Sequence, residues 1–486
     1  MLGSKDINTN EVARALSALI IVEGVFMLLS LPFSFFYNEN IYPILNSSAI
    51  TIVSGLAIFF MSSKRTKKHV GKREAYMIVS LAWIVISFFG TLPYILSGTI
   101  PNFTNAFFET MSGFTTTGSS VLNDIEAVDK GILFWRSMTH WIGGMGIIVL
   151  TLAIMPLLGV GGTTLFSAES PGPTTDKLHP TIKGTAKRLW FIYFVLTVIE
   201  TVLLWLGEMD FFDAINHSFA TLATGGFSTK NDSIAHFGAY SQYIIALFMF
   251  FAGVNFAIHY FFSHAKWDKV FKNEEFRFYS KLVIGATLLI TFILIYNMDG
   301  GIEESFRNAL FQVISIITTT GFVSYNYLLW PTVAWFVLVL LMFAGGSAGS
   351  TGGGIKMIRH LILIKTASLH LKRMVHPRAF YTTKYNGKSV KDEVLFGIMA
   401  FILFYAIIFG IGVFLMTAVG LDFNTAFGAS ISSLGNIGPA IGNVGPVDNF
   451  AEIPQLGKWI LSALMLLGRL ELFTILVFLS PGFWKK

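Results

Sequence analysis

The residues best suited to chemistry in this chain sit in four glycine-containing turns: TTTGSS at 115–120, ATGGFST at 223–229, TTTGFVS at 318–324 and GNIGPAIG at 435–442. Their chemistry is that of the peptide carbonyl. Aiming successive carbonyl oxygens at a common point requires backbone with φ > 0, which glycine adopts at least cost. Carbonyls so aimed replace the hydration shell of a cation. The candidate ligands are Thr116, Thr117 and Gly118 in the first turn and Thr224, Gly225 and Gly226 in the second. Thr319, Thr320 and Gly321 are those of the third, and Asn436, Ile437 and Gly438 those of the fourth. The threonines at 115–117 and 318–320 add hydroxyl oxygens. No acidic residue lies in any turn, which favours a weakly hydrated monovalent ion over Ca²⁺ or Mg²⁺, whose sites use carboxylates.

Two further features could control such a path. The segment AGGSAGSTGGG at 344–354 interrupts an apolar stretch with Gly345, Gly346, Ser347, Ala348, Gly349, Ser350, Thr351, Gly352, Gly353 and Gly354. It is not a phosphate-binding loop, because Gly354 is followed by Ile355, Lys356 and Met357 rather than by Lys-Ser/Thr. A break of small residues acts as a hinge, as an intramembrane loop or as a close-packing site. The second feature is Arg469, in the middle of the apolar stretch 457–480. A charge at that depth costs at least about 2.5–3.5 kcal/mol and marks a pathway or a buried partner such as Glu109, Glu200 or backbone carbonyls. Glu471, two residues on, faces away along the helix. His140, His217 and His259 stand apart from other ligand-type side chains and read as structural, and Glu23 is a carboxylate without an assigned role.

The elements that position these residues follow from composition. Of 486 residues, 53% are hydrophobic and 13% charged, about half the charged fraction usual in soluble domains. A soluble enzyme is excluded on that ground, and cysteine chemistry is excluded because there are no cysteines. Ten stretches have the length and apolarity of a membrane span: 12–36, 43–62, 75–97, 131–158, 189–208, 239–263, 279–298, 331–364, 394–419 and 457–480. Four shorter segments, 104–114, 212–222, 306–317 and 424–434, each precede a turn. Aligned on Gly118, Gly226, Gly321 and Gly438, they carry alanine twelve residues earlier (Ala106, Ala214, Ala309, Ala426) and a large apolar residue eleven earlier (Phe107, Ile215, Leu310, Phe427). The fold expected is an all-α polytopic membrane protein. It has four tandem units of span, half-length helix, strand-like turn and span around a pseudo-fourfold axis. An N-terminal helix pair occupies 1–70, and the units occupy 71–160, 161–265, 266–375 and 376–486.

Lys and Arg number 6 in 62–74, 4 in 177–188, 5 in 264–281 and 9 in 356–391; with Lys5, Arg14, Lys485 and Lys486 this places 28 of 34 on one face. The positive-inside rule makes that face cytoplasmic, with both termini, and the net charge of +6 is topological rather than a nucleic-acid footprint. Segment 62–74 is an orientation signal that could also touch anionic lipid.

On the four turns in register, the repeated units and the extra N-terminal pair, the chain resembles the Trk/Ktr/HKT potassium-transporter superfamily and is most similar to the bacterial TrkH pore-forming branch. The resemblance covers essentially the whole chain. It implies K⁺ uptake at a bacterial inner membrane, homodimers, and control by a cytosolic nucleotide-binding ring subunit (TrkA-like), so that ATP, ADP or NAD acts only through that partner and no cofactor is bound covalently. It carries the filter glycines to Gly118, Gly226, Gly321 and Gly438. Some plant relatives have Ser at the first position and favour Na⁺, so Gly118 implies K⁺. Repeats two and four read ATGG and GNIG, which makes the filter chemically asymmetric. The resemblance also implies that 345–354 lies under the filter and obstructs it, and that Arg469 helps close the path. The alternatives are a Na⁺-permeable or cation-coupled secondary transporter of the same architecture, and a membrane subunit without transport of its own.

Overall fold

The computed structural model describes residues 7–62, 71–144, 146, 182–379 and 381–484. The second half of the stretch 131–158, most of the basic segment 62–74, the start of 177–188 and the terminal Lys5, Lys485 and Lys486 lie outside the described residues.

Helix α1 (Thr9–Leu28) and α2 (Tyr42–Met61) form the expected N-terminal pair. Gly24 and Gly55 let the two backbones meet: a methyl on Gly24 would lie 2.6 Å from Ile52 Cγ1, and one on Gly55 2.7 Å from Ile21 Cγ1. The Ser48 hydroxyl donates to Gly24 O (2.7 Å), satisfying a hydroxyl at apolar depth. Helix α3 (Lys72–Phe89) packs on α1 and leads to the first short helix, α4 (Phe103–Phe114), followed by α5 (Lys130–Gly144). Helix α6 (Ile182–Trp205) precedes the second short helix, α7 (Phe211–Leu222), then α8 (Ala239–Ala252) and α9 (Phe256–Ser263). Helix α10 (Glu274–Asn297) precedes the third, α11 (Ile302–Ile317), then α12 (Thr332–Leu341) and α13 (Met357–Val375). A two-stranded hairpin, β1 (Lys384–Tyr385) and β2 (Lys388–Ser389), leads to α14 (Asp392–Ala418). The fourth short helix, α15 (Phe423–Gly435), is followed by α16 (Gln455–Arg469) and α17 (Phe473–Leu476).

The chain is a multi-pass helical membrane protein. Six of its described helices are long and apolar enough to cross a bilayer, or up to eight if each of two bent pairs counts as one span. Those bent pairs correct the expectation of continuous helices over 239–263 and 457–480: α8 and α9 meet at 103°, and α16 and the segment Phe473–Leu479 at 105°. The first bend follows from Gly253 ending α8 and Asn255 capping α9, its side chain accepting from Ala257 N (2.8 Å). The second follows from Glu471 and Leu472, both at positive φ (52° and 58°). Stretch 331–364 is interrupted as expected, with irregular chain from Met342 to Lys356 between α12 and α13.

The four short helices are buried along most of their length. All of α4 from Ala106 to Phe114 is buried, and Ala106, Ala214, Ala309 and Ala426 are each 0% exposed. Asn102, Asp210 and Asp422 cap α4, α7 and α15 by accepting from the backbone N–H three residues on. By contrast α14 is mostly exposed and presents Phe396, Leu403, Ile411 and Phe414 outward, as a lipid-facing helix does.

Candidate functional site

Each short helix ends in the same way. The residue two before the aligned glycine is left-handed: Thr116 (φ 54°), Thr224 (55°), Thr319 (59°) and Asn436 (54°). The next residue donates its N–H to the carbonyl five back: Thr117 to Ser112 (2.8 Å), Gly225 to Ala220 (2.8 Å), Thr320 to Ser315 (2.9 Å) and Ile437 to Ser432 (3.0 Å). These bonds complete a Schellman cap, a helix ending that uses a left-handed residue. The glycine then takes positive φ itself: Gly118 82°, Gly226 79°, Gly321 82°, Gly438 101°. A left-handed Thr costs roughly 1–2 kcal/mol, because its branched Cβ crowds the following carbonyl. Three buried turns that accept this cost, and a fourth that uses Asn, are built for a specific backbone path.

The four turns close on one another. A methyl on Gly118 would lie 2.1 Å from Gly225 O, on Gly226 2.1 Å from Thr320 O, on Gly321 1.9 Å from Ile437 O, and on Gly438 2.9 Å from Thr117 O. First meets second, second third, third fourth, and fourth first. The Asn436 amide donates to Thr117 Oγ1 (3.0 Å), a side-chain link between the last turn and the first. All four glycines border a cavity of about 90 Å³, together with Arg136, Lys230 and Asp448. The hydroxyls at 115 and 117 are 2.8 Å apart, and those at 318 and 320 are 2.7 Å apart, so each pair is hydrogen-bonded.

Behind the turns lie residues that inspection of the turns alone misses. Nine residues before the aligned glycines stand Glu109, His217, Gln312 and Ala429. Glu109 accepts from Val121 N (2.7 Å) and Ser120 Oγ (3.0 Å), and pairs with Arg136 (2.8 Å). Arg136 in turn donates to Ser228 O (3.0 Å), tying the first turn to the second. His217 Nε2 bonds Ser228 Oγ (2.9 Å) and its Nδ1 bonds Asp213 O (2.7 Å), which makes it a satisfied structural histidine. Gln312 reaches Ser324 Oγ (3.4 Å). The fourth unit has Ala429 and uses Ser432, whose hydroxyl bonds both Gly438 N and Gly438 O. Extending the alignment of the four units from eleven to nine residues before the glycine brings out this row. Glu109→Ala leaves the Arg136 charge buried without its carboxylate, a change that costs about 3–5 kcal/mol. The expected result is a clearly lowered Tm of the purified protein, which Arg136→Met in the same chain largely restores.

The loop 345–354 lies against the inner ends of the turns. Gly353 N donates to Thr319 Oγ1 (2.7 Å), and Thr351 Oγ1 donates to Leu222 O (2.9 Å). A methyl on Gly352 would lie 2.8 Å from Thr318 O, and one on Gly353 2.6 Å from Gly435 O. Ser347 N donates to Gly253 O (2.9 Å), the carbonyl freed by the bend between α8 and α9. Glu275, at the start of α10, accepts from Ala348 N (2.7 Å) and Ile358 N (3.1 Å), so it holds both flanks of the loop. Lys356 Nζ donates to Gly352 O. The Thr319 hydroxyl is thus a joint between turn and loop. Thr319→Val keeps the side-chain shape and removes that acceptor, leaving a buried N–H unpaired at a cost of about 1–3 kcal/mol. A lowered Tm of the purified Thr319→Val protein is the outcome expected.

Arg469 ends α16 at the second bend, not mid-helix. It donates to three backbone carbonyls, Thr351 O (2.8 Å) in the loop, Gly143 O (2.5 Å) and Gly144 O (3.2 Å), and its guanidinium lies over the Trp83 ring (5.7 Å). Glu471 lies in the bend rather than on the same helix, and pairs with Arg359 of α13 (2.5 Å). His140 stacks on Phe227 (4.0 Å between centroids) behind Gly225, and among the described residues neither ring nitrogen has a hydrogen-bond partner. His259 bonds Phe251 O (2.9 Å). Among the described residues no three or more His, Asp or Glu side chains cluster as metal ligands. The four turns themselves carry backbone carbonyls, hydroxyls and the Asn436 amide, and among the described residues the one carboxylate bordering their cavity is that of Asp448.

The comparisons with known proteins place this multi-pass helical chain in the class of cation-transport proteins. The TrkH family model, described as cation transport protein, matches residues 42–298 and 300–486. The chain is a member of the TrkH family. It is 41% identical over 436 residues to the Trk system potassium uptake protein TrkH of Escherichia coli K12, covering 88% of this chain and 90% of that one. It is 38% identical over 485 residues to the protein of the same name from Vibrio parahaemolyticus, covering 98% and 99%. The crystal structure of the potassium transporter TrkH from Vibrio parahaemolyticus superposes with a TM-score of 0.87 at 36% identity, covering 98% of this chain and 100% of that chain.

Proposed function

We propose that this protein is the membrane component of a K⁺ uptake system, with a channel-like pore whose selectivity filter is the ring of turns around Gly118, Gly226, Gly321 and Gly438. The observation that carries the reading is the closure of that ring, each glycine facing the carbonyl before the next. Four units, 71–160, 161–265, 266–375 and 376–486, surround a pseudo-fourfold axis, and K⁺ sheds water onto inward carbonyls. The C-termini of α4, α7, α11 and α15 meet the turns, and their partial negative charge favours a cation there. The naming of relatives as Trk system potassium uptake proteins supports K⁺ as the ion.

Loop 345–354 and Arg469 form the gate. Opening breaks the bonds from Arg469 to Thr351 O and from Gly353 N to Thr319 Oγ1, with the loop swinging toward α13. A cytosolic nucleotide-binding subunit governs that motion through 356–391, which carries 9 Lys and Arg and no acidic residue. The protein works as a homodimer with its termini in the cytoplasm. Expression in a bacterium stripped of its own K⁺ uptake, together with the regulatory subunit, restores growth at low K⁺. Correctly inserted protein that restores no growth, or that restores it equally with Gly321→Ala, overturns the reading.

A further inference from the structure

Between the last turns of α13, the β1–β2 hairpin and the first turns of α14 lies a cavity of about 520 Å³ that the permeation path does not use. One part of its wall is cationic, with Arg373 and Lys391 beside the His370 ring; the other is apolar, with Leu395, Phe396 and Met399. Asp392 also borders it, so two permanent cations face one carboxylate. Arg373 uses one guanidinium N–H on Tyr381 O (2.5 Å), which fixes its fork and leaves further donors. The place matters as much as the lining. Asp392 begins the span Asp392–Ala418, so the cavity sits where the bilayer meets water. Phe396 is 71% exposed there, and Leu371 and Met374 on the end of α13 are 64% and 68% exposed. Apolar side chains exposed beside basic ones at a bilayer boundary fit a lipid interface better than bulk water.

We infer that this cavity holds the headgroup of an anionic phospholipid, its phosphate on Arg373 and Lys391 and its upper acyl chain along Leu395, Phe396 and Met399. Basic pockets between helices at a membrane face bind such headgroups. The apolar half of the wall is what separates a lipid from a soluble phosphate. Helix α13 is the direct continuation of loop 345–354, so an occupant here bears on the element that ends under the filter. That last consequence, and the cytoplasmic side of the cavity, rest on the function proposed above; the binding itself does not.

The test is native mass spectrometry of the purified full-length protein with dioleoylphosphatidylglycerol or dioleoylphosphatidylcholine, a readout independent of flux. The expected result is retention of phosphatidylglycerol over phosphatidylcholine by about tenfold, since each cation near a headgroup contributes severalfold. The preference disappears in Arg373→Gln/Lys391→Gln, and retention of either lipid falls in Phe396→Ser/Met399→Ser. Equal retention by wild type and the charge variant overturns the proposal and leaves the surface to a protein partner. Displacement of the lipid signal by inorganic phosphate overturns it in favour of a soluble anion. If the protein proves not to conduct K⁺, the lipid result stands on its own; if it conducts K⁺ without lipid preference, only this proposal fails.

Discussion

Alanine at Gly321 is expected to remove discrimination between K⁺ and Na⁺. The new methyl would lie 1.9 Å from Ile437 O and 2.9 Å from Pro439 Cδ, and the residue would sit at φ 82°. Backbone cannot yield there as a flexible side chain would. Overpacking of this kind costs typically 1–3 kcal/mol, and positive φ adds roughly 1–2 kcal/mol for an L-residue. The strain falls on the Ile437 carbonyl and its neighbours, the proposed ion ligands. A distortion of that size changes relative ion affinity by about tenfold or more, at 1.4 kcal/mol per tenfold. The same argument ranks the ring. Gly118→Ser and Gly226→Ala, each 2.1 Å from a neighbouring carbonyl, approach Gly321→Ala in effect. Gly438→Ala, at 2.9 Å, is the mildest of the four. Competition of Na⁺ against Rb⁺ uptake, compared across the four variants, checks both the size and the order; equal effects at all four glycines count against the ring.

The second large effect is expected from Arg469→Ala: a higher basal flux of K⁺. The side chain bridges Thr351 of the loop to Gly143 and Gly144 at the end of α5 through charged hydrogen bonds. Bonds to charged groups contribute about 1.5–3 kcal/mol each, so their loss moves the closed–open balance toward open by about tenfold or more. On the proposed pore, removal of this positive charge acts in the same direction. Deleting 346–352 goes further, giving a leaky pore that no longer responds to the nucleotide state of its partner. Folded Arg469→Ala protein with unchanged or lower flux, or a deletion variant that still closes on the partner's signal, removes the gate assignment.

Much of this was legible in the chain. The alanine and apolar offsets located all four short helices to within a few residues, because buried helix positions constrain side-chain size. The interruption at 344–354 announced itself by composition. Other features gave no such signal. Thr116, Thr224 and Thr319 adopt left-handed backbone that a branched residue ordinarily avoids, so propensity argues against the conformation the buried turn imposes. The bend after Arg469 runs through Leu470, Glu471 and Leu472, none of them a helix breaker, so Arg469 read as mid-span when it is a helix end. The bend at Gly253 and Asn255 was hidden by apolar residues on both sides. The ties from Glu275 to the loop and from Arg136 to the second turn join residues 73 and 92 positions apart in sequence, beyond what local pattern carries.

The central claim is that the four glycine turns form one K⁺-selective ring, and the measurement that tests it most directly is cation flux through purified Arg469→Ala protein in liposomes, with K⁺, Rb⁺, Na⁺ and Li⁺ compared, with and without Gly321→Ala. The account predicts that K⁺ and Rb⁺ pass well ahead of Na⁺ and Li⁺, and that adding Gly321→Ala erases that ranking. Flux indifferent to the cation, or a ranking that survives Gly321→Ala, contradicts it.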